Sequence, residues 1–283
     1  MTVWRLRGRT LDPDGRPLVM GIVNVTPDSF SDGGRFRDAG PALARARRMV
    51  AEGADLLDVG GESTRPGAAE VSADEELARV LPVLERIRAE LDVPVSVDTR
   101  KAAVAREVLA AGADAVNDVS ALGDPGMAAA VAETDAGLVL MHMRGTPATM
   151  GEMTDYRDVA EDVAEELKRS LGRALAAGIA PERIVVDPGV GFAKTAEQNL
   201  ELIARLGVLR ARLGRPVLLG VSRKAFIGRL LGGLPAEARD AGTVGACVAG
   251  LARGARIFRV HEVRAAREAL DVADAVLRAG EAA

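Results

Sequence analysis

Gly53-Ala-Asp-Leu-Leu-Asp-Val59 has two echoes further along the chain, Gly112-Ala-Asp-Ala-Val-Asn-Asp118 and Gly254-Ala-Arg-Ile-Phe-Arg-Val260. Each opens on a glycine able to close a helix in the left-handed conformation, then enters a short apolar run of strand character. Gly178 plays a related part before Ile184. These are helix-to-strand junctions, and the rest of the chain follows the same plan. Runs that read as strands lie at residues 18–23, 55–59, 93–97, 115–119, 137–141, 184–186, 216–221 and 256–260. Their near-continuous Val, Ile and Leu content suits parallel strands buried on both faces. Helical patterns with charged faces lie between them, at 41–52, 73–90, 101–111, 127–133, 159–177, 196–213, 239–253 and 263–278. Eight strands alternating with eight helices predict an α/β fold, a (β/α) TIM barrel in a single domain over residues 1–283. An open doubly wound sheet is the alternative, but no glycine fingerprint follows the first strand and no Walker-type loop occurs.

The composition sets limits on function. With 283 residues and 48% hydrophobic content the chain can bury a large core, and at 2% aromatics that core must be Ala, Val and Leu. A net charge of −4 argues against a nucleic-acid partner. The N-terminus lacks the apolar core of a signal peptide, and no window is long and uncharged enough to span a membrane. One cysteine, Cys247, in a run of small apolar residues, reads as a packed thiol in a reducing compartment. A cytoplasmic protein is expected.

In a parallel barrel the C-terminal ends of all strands open on one face, where active sites are built. The residues there are Asn24, Asp58, Glu62, Ser63, Thr64, Arg65, Asp98, Asn117, Asp118, His142, Asp187, Ser222, Arg223, Lys224, Arg259 and His261. Gathering so many ionisable groups at one mouth is costly unless they pair with one another or with a ligand. Asp98, Asn117 and Asp187 suit a planar heterocycle rich in N–H donors, such as an aminopyrimidinone. Arg65, Arg259 and His261 offer positive charge and donors for phosphate oxygens. Arg259 and His261, two residues apart on an extended segment, can face the same way as an anion clamp. His142, between Met141 and Met143, reads as a hydrogen-bonded structural residue. The loops Asn24–Gly34 and Gly60–Gly67 have the length and composition of lids or clamps. Phe30 and Phe192 lie in loops, placed either to stack on a flat ligand or to anchor their own segments.

Met20-Gly-Ile-Val-Asn-Val-Thr-Pro-Asp-Ser-Phe-Ser-Asp-Gly-Gly34 and Leu57-Asp-Val-Gly-Gly-Glu-Ser-Thr-Arg-Pro-Gly-Ala68 resemble the two signature segments of dihydropteroate synthases. Ser96-Val-Asp-Thr99, Asn117-Asp-Val119, Met141-His142, Asp187-Pro-Gly-Val-Gly-Phe192, Ser222-Arg-Lys224 and Arg259-Val-His261 follow in order, so the resemblance covers nearly the whole chain. It implies a pterin-binding transferase of folate biosynthesis, a sulfonamide target. Such an enzyme joins (7,8-dihydropterin-6-yl)methyl diphosphate to p-aminobenzoate, giving 7,8-dihydropteroate and pyrophosphate. Asn24 would coordinate a magnesium ion (Mg2+) carrying the diphosphate, held also by Arg65, Arg259 and His261. Asp98, Asn117, Asp187 and Lys224 would bind the pterin over Met141, with Thr64 near both substrates. Thr64, Pro66, Phe192, Ser222 and Lys224 would shape the p-aminobenzoate pocket. Asp98, Lys224, Arg259 and His261 would carry catalysis, and a homodimer through outer helices is implied. Gly151 stands where the family often has Gln, and Glu262 where Asp is common.

The residue inventory suits a dissociative substitution. An aldolase-type Schiff base at Lys224, its pKa lowered by Arg223, is a second reading. A pterin-binding methyltransferase and a non-catalytic pterin or sulfonamide binder are the rival functions.

Overall fold

A short hairpin begins the chain, with β1 (Trp4–Leu6) antiparallel to β2 (Arg9–Leu11). The structure, a computed structural model, describes residues 3–25, 39–65 and 67–281. After the hairpin come β3 (Leu18–Asn24), α1 (Gly40–Ala51), β4 (Leu56–Gly60), α2 (Ala73–Glu90), β5 (Val95–Asp98) and α3 (Ala102–Ala110). They are followed by β6 (Ala115–Asp118), α4 (Met127–Ala132), β7 (Gly137–Met141), α5 (Val159–Ala176) and β8 (Ile184–Asp187). The remainder is α6 (Ala196–Ala204), α7 (Leu206–Leu213), β9 (Leu218–Leu219), α8 (Ala225–Leu230), α9 (Asp240–Leu251), β10 (Ile257–Val260) and α10 (Val263–Glu281). Eight parallel strands pair in the order β8-β7-β6-β5-β4-β3-β10-β9. The ring closes where Val186 N donates to Pro216 O at 3.1 Å and Val186 bridges Val217. This is the predicted TIM barrel.

Strand side chains alternate between two faces, and that period builds two apolar layers. Inward residues Leu18, Met20, Leu56, Ala115, Val139, Val185, Leu218 and Ile257 form the barrel interior. Their neighbours, among them Val19, Leu57, Val97, Val116, Leu138, Val186, Leu219 and Phe258, face the helices in a second, larger cluster. The hairpin, which the sequence pattern had not disclosed, joins the inner layer. Trp4 is fully buried against it, and its Nε1 donates to Arg183 O at 3.0 Å. Gly137, at the start of β7, lies so close to Leu6 and Trp4 that a Cβ there would stand 2.5 Å from Leu6. The hairpin therefore seals the end of the barrel opposite the strand C-termini.

Helix starts follow local chemistry. Ser72 accepts from Glu75 N, Asp158 from Ala160 N and Glu161 N, and Thr195 forms a capping box with Gln198. The predicted helix 196–213 is two helices, because Arg205 leaves helical geometry (φ −115°, ψ 23°) and both arms bury leucines. Continuous apolar spacing concealed that break. The predicted strand 216–221 forms ladder pairs only at Leu218–Leu219, with a single bridge at Val217, and the residues after it turn into the short α8. No described helix is long and apolar enough to cross a membrane.

Candidate active site

The same alternation that fills the barrel floor sets the next inward layer. Two residues beyond Leu56, Ser96, Ala115, Val185 and Ile257 stand Asp58, Asp98, Asn117, Asp187 and Arg259. Gly60 and Gly220 add no side chain beside Asp98 and Asp187, which leaves room at the mouth. Arg259 Nε donates to Asp58 Oδ2 at 2.6 Å and its Nη2 to Asp98 Oδ2 at 2.8 Å. Asn117 Nδ2 donates to the same Asp58 oxygen at 3.0 Å. Asp58 is 0% exposed, yet its Oδ1 and the Oδ1 of Asn117 are buried with no hydrogen-bond partner among the described residues. Native interiors seldom leave such acceptors unpaired, so these two are open to N–H donors from a ligand or to water.

Asp187 Oδ1 accepts from Gly189 N at 2.7 Å. Burial pushes the Asp187 carboxyl up, against the pull of that N–H and of Lys224. Burial likewise pushes Asp98 up, against Arg259. Lys224 is pushed down by burial, with Asp187 and Asp98 opposing and Arg259 and Arg65 assisting. Its Nζ sits 3.9 Å from the centre of the Phe192 ring, a cation–π contact. Arg223, expected to act on Lys224, is instead turned away. In the left-handed region (φ 58°), it pairs with Asp240 at 2.7 Å and with Glu262 at 3.0 Å.

Ser222 Oγ accepts from His261 N at 3.1 Å and lies 2.8 Å from its Nδ1. Asn24 Nδ2 is 3.5 Å from His261 Nε2. Burial, and then the charges of Arg259, Arg223, Arg45 and Arg65, push His261 down to about 3. Without a bound anion, burial and the neighbouring arginines thus oppose a charge on His261, and two of Arg259's donors are engaged by acids. Arg65 is exposed and Thr64 half-buried on the second loop. Pro66, Phe30 and the first loop beyond Val25 lie outside the described residues.

Three of the strand-end polar residues serve the scaffold. Asp118 accepts from Ser120 N at 2.8 Å, from Ser120 Oγ at 2.6 Å and from Leu122 N at 2.6 Å, shaping its own loop. Glu62 roots the second loop through Lys101 (2.8 Å), Arg100 (3.4 Å) and Val71 N (2.9 Å). His142 is structural, as expected. Its Nε2 lies 3.0 Å from Glu166 Oε2, and burial with the nearby Lys194 charge pushes it down to about 4. Met141, Phe192, Met150, Val119 and Ala193 form a small apolar cluster at the rim.

Two features of the rim escaped the sequence pattern. The loop after β7 reaches the second loop, Gly67 N donating to Pro147 O at 3.1 Å. Lys194, between Ala193 and Thr195, gave no sign of being buried. It lies inside the loop after β8, where burial pushes its amine down to about 7. Among the described residues no three His, Cys, Asp or Glu side chains gather as a metal cage. A magnesium ion carried by a diphosphate needs no such cage, since it keeps waters and takes one or two protein oxygens. Asn24, at the end of β3 beside His261, can supply one amide oxygen, so the donor set fits that role.

A parallel barrel whose mouth gathers buried acids, an arginine and a lysine around unpaired acceptors defines a barrel enzyme for a flat, polar small molecule. The model of the pterin-binding enzyme family matches residues 20–261. A dihydropteroate synthase of Synechocystis is 48% identical over 96% of this chain and 94% of that protein. Among solved structures, a Burkholderia cenocepacia dihydropteroate synthase bound to 7,8-dihydropteroate superposes with a TM-score of 0.90 at 46% identity, covering 100% of this chain and 99% of that one. A Xanthomonas albilineans dihydropteroate synthase with 4-aminobenzoic acid gives 0.90 at 49% identity, covering 98% and 99%. The chain belongs to the pterin-binding enzyme family, in its dihydropteroate synthase branch.

Proposed function

We propose that this chain condenses (7,8-dihydropterin-6-yl)methyl diphosphate with p-aminobenzoate to 7,8-dihydropteroate and pyrophosphate. One observation carries the reading. The Asp58–Arg259–Asp98 pair system leaves Asn117 Oδ1 and Asp58 Oδ1 buried and unpaired at the barrel mouth. An aminopyrimidinone presents the row of N–H donors that such acceptors and Asp187 require. Likeness to a protein crystallised with 7,8-dihydropteroate supports the same assignment.

In this reading the methylene C–O bond breaks and its electron pair leaves with the diphosphate. The lone pair of the amine forms the new C–N bond, and the nitrogen then sheds a proton. Asp98 faces the developing positive charge on the pterin side, while Arg65, His261 and the remaining donors of Arg259 hold the departing oxygens. Asn24 would hold a magnesium ion carried by the diphosphate, which would supply charge neutralisation of the leaving group when bound. Removing one preorganised group of this kind costs on the order of a hundredfold or more in rate. Phe192 and Lys224, with Thr64 and Ser222, make the amine pocket. Lys224 lies beside Asp187, which suits pterin binding better than a Schiff base.

The reading extends to a cytoplasmic homodimer. Leu200 on α6, Leu230 on α8 and Leu231 just beyond it stand exposed, and with Ile227, Gly242 and Ala246 they line an apolar groove of about 370 Å³ on the outer helices. A second copy of the chain is the occupant we assign to it. The purified protein, mixed with the pterin diphosphate, magnesium and p-aminobenzoate, should yield dihydropteroate by mass and one pyrophosphate per turnover. Pterin binding with no pyrophosphate release would sink the proposal.

A further inference from the structure

The loop between β8 and α6 carries both Asp187 and Phe192, and an unusual backbone shapes it. Gly189, Gly191 and Ala193 all have positive φ, at 66°, 83° and 49°. Alternating left-handed residues curl the chain so that carbonyl groups point inward toward one spot. Lys194 Nζ occupies it. The amine donates to Gly189 O at 3.1 Å and to Phe192 O at 2.9 Å, and lies 3.0 Å from His142 Nδ1. All three donor positions of an ammonium are therefore used. His142 accepts at Nδ1 and so carries its proton on Nε2, which meets Glu166 on α5. Glu166 is held in turn by Arg144, whose guanidinium lies 3.8 Å from the centre of the Tyr156 ring. The result is a hydrogen-bonded strut running from α5 through Glu166, His142 and Lys194 into the loop that presents Phe192.

We infer that Lys194 is a positioning residue, holding the Phe192 backbone so that the ring lies against Lys224 and shapes the pocket for the amine substrate. The inference rests on the amine-pocket assignment above. Lys194 touches neither proposed substrate site directly, and it works through two carbonyls of its own loop. Asp187 is anchored through Gly189 N, so Lys194 reaches it only indirectly through the Gly189 carbonyl, whereas Lys194 bonds the Phe192 carbonyl itself. The pterin side of the site should therefore feel the loss of Lys194 far less than the amine side.

The test compares Lys194→Met, Lys194→Arg and Phe192→Ala in steady-state assays of dihydropteroate formation. Lys194→Met should raise KM for p-aminobenzoate on the order of tenfold, the scale of a lost charged hydrogen bond. Its KM for the pterin diphosphate should stay within about twofold, and Lys194→Arg should recover part of the loss. In a Phe192→Ala background the same substitution should add nothing, because the residue it acts through is gone. Equal effects on both substrates, or full additivity with Phe192→Ala, overturn the inference. Should Lys194→Met fail to fold, Glu166→Leu, which leaves no acceptor for His142 Nε2–H, cuts the strut at its far end and must still raise KM for the amine selectively. An unchanged KM in that variant also overturns it. If the wild-type protein makes no dihydropteroate, the proposed function fails instead, so the two failures are separable.

Discussion

Arg259→Met removes one guanidinium and leaves two buried acids facing each other. In the native protein Arg259 bonds Asp58 at 2.6 Å and Asp98 at 2.8 Å, and Asp58 has no solvent exposure. Methionine fills most of the vacated volume, so the loss is mainly electrostatic. Breaking a buried pair by deleting one partner costs about 3–5 kcal/mol. At roughly 2–4 °C per kcal/mol for a domain near this size, Tm should fall by about 6–20 °C. The loss must also depend on pH. Burial already pushes Asp98 up, and Arg259 is the main group opposing it. Without that arginine the folded state holds a proton the unfolded chain has released, so stability drops as pH rises, by up to about 1.4 kcal/mol per unit. Wild-type Asp98 is itself pushed up to about 7, so differential scanning calorimetry from pH 6 to 9 should show the gap between wild type and variant opening above about pH 7, where only the variant still holds the extra proton. Adding Asp58→Asn to the variant should recover part of the gap by removing one of the stranded charges. A loss under about 1 kcal/mol, or one flat across that range, would refute this account of the cluster.

The two histidines offer a second measurement, since they are the only ones in the chain. With His142 held at about 4 and His261 at about 3, NMR of their ring C–H groups should show no titration from pH 8 to 5. Each is protonated near 6.5 once unfolded, so both groups lower stability as pH falls through that window. Saturating pyrophosphate should raise the His261 inflection and leave His142 unmoved; an inflection near 6.5 in the free protein counts against the buried geometry. Cys247, fully buried with its thiol pushed up to about 12, should resist iodoacetamide in the folded protein and react after unfolding. Fast native alkylation would show that α9 opens. Gly189→Ala places a Cβ 1.8 Å from His142 O at a positive φ, so soluble protein with unchanged Tm would contradict the loop structure. Leu230→Glu, in the groove assigned to a second copy, should give a monomer on sedimentation, and an unaltered mass removes that face from the interface.

Much of the architecture was written in local pattern. Val- and Leu-rich runs alternating with amphipathic ones specify eight parallel strands and their covering helices, because a strand buried on both faces carries few polar residues except toward its C-terminal end. For the same reason Asp58, Asp98, Asn117, Asp187, Arg259 and His261 stood out as strand-end groups, and the signature segments tied them to a known chemistry. Where those side chains go was decided only by the closed ring. Arg259 and Asp58 lie far apart in the chain, and nothing local says that Arg259 will spend two donors on acids, or that His261 will be stripped of its charge by burial beside Arg259. Trp4 gave no periodic signal, since a three-residue strand is too short to have one, yet it closes the barrel floor. Lys194 is the sharpest case. Along the chain it is a lysine between Ala193 and Thr195, and only the left-handed turns at Gly189, Gly191 and Ala193 bring the carbonyls together that draw its amine inside.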